Sequence, residues 1–128
     1  MNSRNKVFDL DEANALLPQL ESLLGSLEEK QEAFRRLQEA LFFEELLDSI
    51  DPPTERLQEL EQTLLRLEKE IKKIRELGCL LRHPERGLID FLARREGKFI
   101  YYCWRRGEKH IQFYHTLRGG FLEREPLN

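Results

Sequence analysis

Two stretches of apolar residues, each repeating at alternating intervals of three and four, flank the segment SIDPPT at residues 49–54. The second stretch is the cleaner: Leu57, Leu60, Leu64, Leu67, Ile71 and Ile74 form a heptad seam along one side of a helix. In the first, Leu20, Leu23, Leu27, Phe34, Leu37 and Leu41 make the seam, and Lys30 and Glu44 interrupt it. Asp51 reads as an N-cap, and Pro52 and Pro53 fall in the first turn, where a missing N–H costs little. Gly78 closes the second helix as a C′ residue. So short a break forces an antiparallel hairpin, pairing positions whose numbers sum to about 102. Leu41 then faces Leu60, Phe34 faces Leu67 or Glu68, and Leu27 faces Ile74. The charged interruptions imply a hairpin wetter or looser than a rod-like coiled coil.

The pairing runs out near residue 24, so the segment before it overhangs. There Asp9 and Glu12 make a capping box, with Phe8 stapled against Ala13, and a helix begins at about Leu10. Pro18 predicts either a kink two turns in or a short helix abutting a long one. Leu16, Leu17, Leu20 and Leu23 need a partner, which is either the last third of the chain or a second protomer.

In that last third the period changes. GLIDFLA, KFIYYCWR and KHIQFYHT are rich in β-branched and aromatic residues, separated by turn signals at 94–97 and 105–108. They predict a three-stranded antiparallel meander, with CLLR (79–82) as a short fourth strand. The chain therefore reads as one α+β domain over 1–128. A helical hairpin kinked near Pro18 occupies 8–78, and the sheet with a C-terminal tail occupies 79–128. Strand alternation places Phe99, Tyr101 and Cys103 on one face of the middle strand and Ile100, Tyr102 and Trp104 on the other. In the next strand Ile111, Phe113 and His115 share a face. One helical layer covers only one face of such a sheet, so the other needs the overhang, the tail or a second subunit.

Charge separates along the same boundary. Residues 1–78 hold 18 acids and 11 bases, a net of −7, and residues 79–128 hold 6 acids and 10 bases, a net of +4. The two halves attract each other, within a protomer or between protomers. The basic residues sit in successive turns at opposite ends of the meander, so they form no single stripe for nucleic acid. No apolar run reaches the length of a membrane span, and the N-terminus lacks a signal-peptide core. A cytoplasmic location follows, in which Cys79 and Cys103 stay reduced as small buried residues.

Chemistry-bearing residues concentrate near the sheet. His115 shares a face with apolar neighbours and reads as a hydrogen-bonded core residue; Cys103, Asp90 and Glu108 are the nearest potential co-ligands but show no metal-ligand spacing. Cys103 lies mid-strand, a burial position unsuited to nucleophilic catalysis. Asp90, flanked on its face by Leu88 and Leu92, needs a paired arginine: Arg86, Arg105 or Arg124.

FDLDEANALLP, RGLIDF, YYCWRRGE, FYH and GGFLEREPL together resemble the domain of unknown function family 2203, a group of small prokaryotic proteins. The resemblance covers residues 8–18 and 86–127. It implies that Glu12, Ala13, Leu17, Pro18, Gly87, Leu88, Asp90, Phe91, Cys103, Trp104, Gly107, Glu108, His115, Gly120, Phe121, Arg124 and Pro126 are recurring positions. The family's typical ending carries an acidic residue after the His; here Thr116 follows His115, which removes a carboxylate that could tune the imidazole.

Two readings of function follow. In the favoured one the chain is a non-catalytic structural or interaction protein, self-associating as a homodimer or higher homo-oligomer through the sheet or the Pro18 segment. In the alternative, Asp90, His115, Arg118 and Arg124 form a small-ligand, anion or metal site, open to enzymatic use, under the Gly119-Gly120 turn. No catalytic residue, resident metal, cofactor, nucleic-acid partner or membrane contact is expected.

Overall fold

The computed structural model describes residues 6–48 and 54–128. The Asp51 cap and the Pro52-Pro53 start therefore lie outside the described residues. Helix α1 (Leu10–Ala15) begins at the expected capping box: Glu12 N donates to Asp9 Oδ1 at 2.7 Å and Asp9 N to Glu12 Oε1 at 3.2 Å. Helix α2 (Leu17–Asp48) follows after Leu16. Pro18 is thus the second residue of a long helix and not an interior kink, a first-turn position where no intrahelical N–H is lost.

Helices α2 and α3 (Thr54–Glu76) pack as an antiparallel hairpin. The two charges that break the seam of α2 find partners across it: Lys30 meets Glu70 at 3.6 Å and Glu44 meets Arg56 at 3.0 Å. Both pairs have residue numbers summing to 100, so the interruptions mark the register. Burial works against the Glu70 carboxylate, but Lys73 and Lys30 outweigh it and hold its carboxyl below the usual range. The buried edge of α3 runs through Thr63, Leu67, Glu70 and Ile74, whereas Leu57 and Leu64 are exposed. Of the expected seam, then, Leu67 and Ile74 are buried, Leu60 and Ile71 are half-buried, and Leu57 and Leu64 lie outside.

Strands β1 (Leu80–His83), β2 (Leu88–Arg95), β3 (Lys98–Arg105), β4 (Phe113–Thr116) and β5 (Glu125–Pro126) form an antiparallel sheet in sequential order. Five strands stand where three or four are expected. The fifth is only two residues long, pairing Phe113 with Pro126 and Tyr114 with Glu125, too short to show any periodicity. Residues 109–112, expected as the start of the last long strand, are loop, and β4 begins only at Phe113. There Ile111 N donates to the Asn14 side chain at 2.8 Å, and Ile111 joins the helix-side core instead of the face of Phe113 and His115. Glu96 and Gly97, with φ of 53° and 77°, make the two-residue turn between β2 and β3.

The overhang covers the sheet within the same chain. Leu17, Leu20, Leu24 and Leu27 join Ile89, Phe91, Ala93, Ile100, Tyr102 and Trp104 in one core with Phe8 and Ile74. Each large apolar side chain buried this way contributes about 1.5–3 kcal/mol. Trp104 also satisfies its indole N–H, which donates to Glu108 O at 2.9 Å. Phe8 N donates to Leu92 O at 2.7 Å, and its ring meets Phe91 edge-on at 5.1 Å, fastening the N-terminal segment to β2. The opposite charges of the two halves meet where Arg106 reaches Glu21 and Glu28, and Gly107 N donates to Glu21 Oε1 at 2.8 Å.

Gly87 has φ of +65°, and a Cβ there would lie 2.7 Å from Arg106 Cβ; Gly97 has φ of +77° but open space around it. Gly97→Ala should therefore cost about 1 kcal/mol, the backbone penalty alone, and Gly87→Ala about 2–3 kcal/mol. Denaturant unfolding of both variants checks this, and equal losses would contradict it.

Candidate functional site

The face of the sheet turned away from the helices carries the chemistry. The Glu96-Gly97 turn sets the β2–β3 register so that Asp90 lies directly opposite Cys103. The next strand brings Tyr101 opposite His115 and Cys103 opposite Phe113, so His115 is a diagonal neighbour of Cys103. Side chains on one face of neighbouring strands converge in this way. One oxygen of Asp90, one ring nitrogen of His115 and the sulfur of Cys103 lie within 4.8 Å of one another, and all three residues are buried. Arg82 completes the group from β1, whose pairing with β2 is irregular between Leu81 and His83. Such an irregularity re-aims a side chain, and Arg82 Nε donates to Asp90 Oδ2 at 2.9 Å. The arginine beside Asp90 is thus Arg82, and not Arg86, Arg105 or Arg124.

The hydrogen bonds of His115 constrain its chemistry. Its Nδ1 lies 2.8 Å from the Thr116 carbonyl, which also accepts from Gly119 N at 3.1 Å. A carbonyl oxygen only accepts, so Nδ1 carries a proton. Nε2 then lies 3.1 Å from Asp90 Oδ2, an oxygen that offers only lone pairs when ionised. That contact is favourable only with something positive between the two atoms: a proton, carried by the ring or by the carboxyl, or a cation. The Tyr101 ring lies beside the imidazole, with ring centroids 5.6 Å apart.

Above this group is a cleft of about 430 Å³. Its floor includes Asp90, Cys103 and His115, its rim includes Arg82, His83 and Arg86, and Leu117, Phe121 and Leu122 supply apolar wall. Gly119 and Gly120 line it as well, so two of the four residues expected at a site, Asp90 and His115, meet there under the glycine turn. Arg118 and Arg124 are not among the lining residues. Arg118 is exposed, whereas Arg124 bonds both oxygens of Glu108, at 3.1 and 3.0 Å, and stacks over Phe113 and Phe121, at 4.1 Å each. Arg124 thereby clamps the tail across the outer face. A larger hollow of about 850 Å³ runs along α2 beside Glu28, Gln31, Phe34 and Glu85. It is walled in part by the Glu32–Arg35 and Glu32–Arg36 surface pairs and has no buried ionisable floor.

Residues not assigned to the site from sequence are Cys103, Arg82 and Arg86. The two-residue turn at Glu96-Gly97 already implies that Asp90 and Cys103 are cross-strand partners, which was the available signal for Cys103. Burial pushes the Cys103 thiol up to about 12, with the Asp90 carboxylate acting in the same direction, and burial pushes Cys79 up to about 11.

At neutral pH both thiols are therefore protonated in the folded protein and poor nucleophiles. Iodoacetamide at pH 8 should leave both unmodified in the native protein and alkylate both after unfolding. Folding raises these values above the unfolded range near 9, so the stability they contribute is present below about pH 9 and lost as pH rises toward 12. Unfolding curves across that range check the sign; a gain in stability would contradict it.

Neither the curated proteins nor the solved structures include a match to this chain. A family model described as an uncharacterized conserved protein, DUF2203, matches residues 6–127, nearly the whole length and including every residue of the outer-face group. The chain belongs to the DUF2203 family.

Proposed function

We propose that the protein is a non-catalytic binding protein whose outer-face cleft takes a small organic anion. One observation carries the reading: a cleft whose volume lies within the range of small-molecule sites has an ionisable floor, apolar walls, and a rim where Arg86 stands unpaired among the described residues while Arg82 is tied to Asp90 and the carboxylate of Glu123 accepts from Gly120 N. Arg86 lines it, is exposed, and forms no ion pair with a described residue. Leu117 and Leu122 stand at its edge, and Leu122 is 92% exposed, apolar surface that folding leaves uncovered. A ligand with one anionic group and an apolar body matches both features. Nucleophilic catalysis fits less well. The thiol of Cys103 is held protonated, and both ring nitrogens of His115 are engaged inside the protein, leaving none to accept a proton from substrate. A reducing cytoplasmic location suits the two free thiols.

Thermal unfolding with millimolar octanoate, phenyl phosphate, acetate or inorganic phosphate tests the proposal. The two amphipathic anions should raise Tm, the small ones should not, and Arg86→Ala should remove the effect; a ligand at 100 times its Kd stabilises by about 2.7 kcal/mol. Absence of any shift, or a shift indifferent to Arg86, would refute it.

A separate observation favours self-association as a second property. The hairpin's far end exposes Phe42, Phe43, Leu46 and Leu47 by 60–75% and Leu57, Leu64 and Leu65 by 41–55%. Together this is on the order of 700 Å² of apolar surface, close to the contribution of one partner to a standard interface. The sheet and the Pro18 segment are largely used within the chain, so the hairpin flank is the proposed contact, with a second hairpin completing a four-helix arrangement. Light scattering at tens of micromolar should find a dimer that Phe43→Glu with Leu47→Glu converts to monomer. A wild-type monomer would rule this out.

A further inference from the structure

We propose that Asp90, Cys103 and His115 are three ligands of a divalent transition-metal ion whose remaining coordination position opens into the cleft. The inference stands on the floor of the cleft and not on the organic anion proposed above it.

The candidate donor atoms are a carboxylate oxygen, a thiol sulfur and an imidazole nitrogen, all within 4.8 Å. Tetrahedral zinc, with bonds of about 2.0–2.3 Å, spaces its ligand atoms roughly 3.3–3.8 Å apart. Rotamer adjustments of a few tenths of an ångström to about an ångström bring the set onto an ion. The three residues come from three adjacent strands, so the backbone spacing between them is fixed by the hydrogen-bond ladders of β2, β3 and β4.

The surroundings of the donors match those of a ligating set. A metal-bound histidine ordinarily donates its other N–H to a carbonyl or carboxylate, which fixes the tautomer and aims the ligating nitrogen. Here His115 Nδ1 is bound to Thr116 O at 2.8 Å, and Nε2 points at Asp90. Ligating carboxylates are themselves hydrogen-bonded, as Asp90 is by Arg82 Nε at 2.9 Å. The cleft supplies both an entry path and room for a water or an anion in the fourth position.

The donor set also selects the ion. Thiolate and imidazole suit zinc, cobalt and nickel, whereas magnesium and calcium favour all-oxygen sites. Binding places the ion's two positive charges between two anionic ligands and expels protons. Sγ loses the thiol proton to solvent as the metal–sulfur bond forms, and Nε2 loses its proton where one is present; no oxidation occurs. Binding is therefore accompanied by proton release.

Cobalt(II) titration of the chelator-treated full-length chain tests the site. The expected result is a near-ultraviolet thiolate-to-cobalt charge-transfer band saturating at one equivalent, displaced by zinc and untouched by excess magnesium. Cys79→Ala, which leaves Cys103 as the chain's only thiol, should keep the whole band. Cys103→Ala should lose it, and His115→Ala should weaken binding by about tenfold or more. Should Cys103→Ala fail to fold, the wild type and Cys79→Ala decide the matter. No band in the wild type, or one that disappears with Cys79, overturns the proposal. A cobalt band in a protein that no anion stabilises would sustain the metal site and remove the anion reading; anion stabilisation without the band would do the reverse.

Discussion

A small sheet with large side chains on both faces has to be covered twice, and the rest of this structure follows from how the two covers are made. On the inner face the cover is continuous: the overhanging start of α2, with α1 and Phe8, closes Trp104, Phe91 and Ile89 completely. On the outer face the cover is a short tail, held by the Arg124–Glu108 pair and the rings of Phe113 and Phe121. A tail cannot seal what a helix layer seals. The gap it leaves is the cleft, and beneath it lie the ionisable residues that the helices would have found costly to bury.

The consequence is a division of labour between the faces. The helical face is apolar and holds the fold together. The other face keeps Asp90 away from bulk water only because Arg82 and His115 bond it, and it keeps Cys103 protonated. A buried acid with one satisfied arginine is ordinary structural pairing. What sets this one apart is the imidazole pinned on its far side, with its second nitrogen directed at the same carboxylate oxygen. The hairpin beyond the sheet is a third region with its own logic, registered by charge pairs between its helices and exposing apolar side chains of both α2 and α3.

Much of this was legible in the residues. Heptad spacing located both helices, the Asp9–Glu12 box located α1, and β-branched and aromatic runs located β2 and β3. Spacing also puts Leu67 and Ile74 on the buried edge of α3, but spacing alone does not say that Glu70 will be buried against Lys30 while Leu64 is left outside. Strand β5 was invisible because two residues have no period. Residues 109–112 look like strand, and a tertiary contact, Ile111 N with Asn14, overrides that propensity. For the site, Asp90 and His115 could be singled out as polar residues on apolar faces, but Arg82 could not be found, since its aim depends on an irregular pairing. The length of strand β4, set by that loop, was needed before His115 could be placed beside Cys103.

The central claim is that the Thr116 carbonyl holds the His115 ring with Nδ1 protonated and so commits Nε2 to Asp90 and whatever positive charge lies between them. Long-range proton–nitrogen correlation spectra of the imidazoles of the wild-type chain, assigned with His115→Gln, read this directly. The account predicts a protonated Nδ1 for His115 that persists when zinc is added, while the Nε2 resonance moves. A neutral ring carrying its proton on Nε2 with Nδ1 bare, unchanged by zinc, would contradict it.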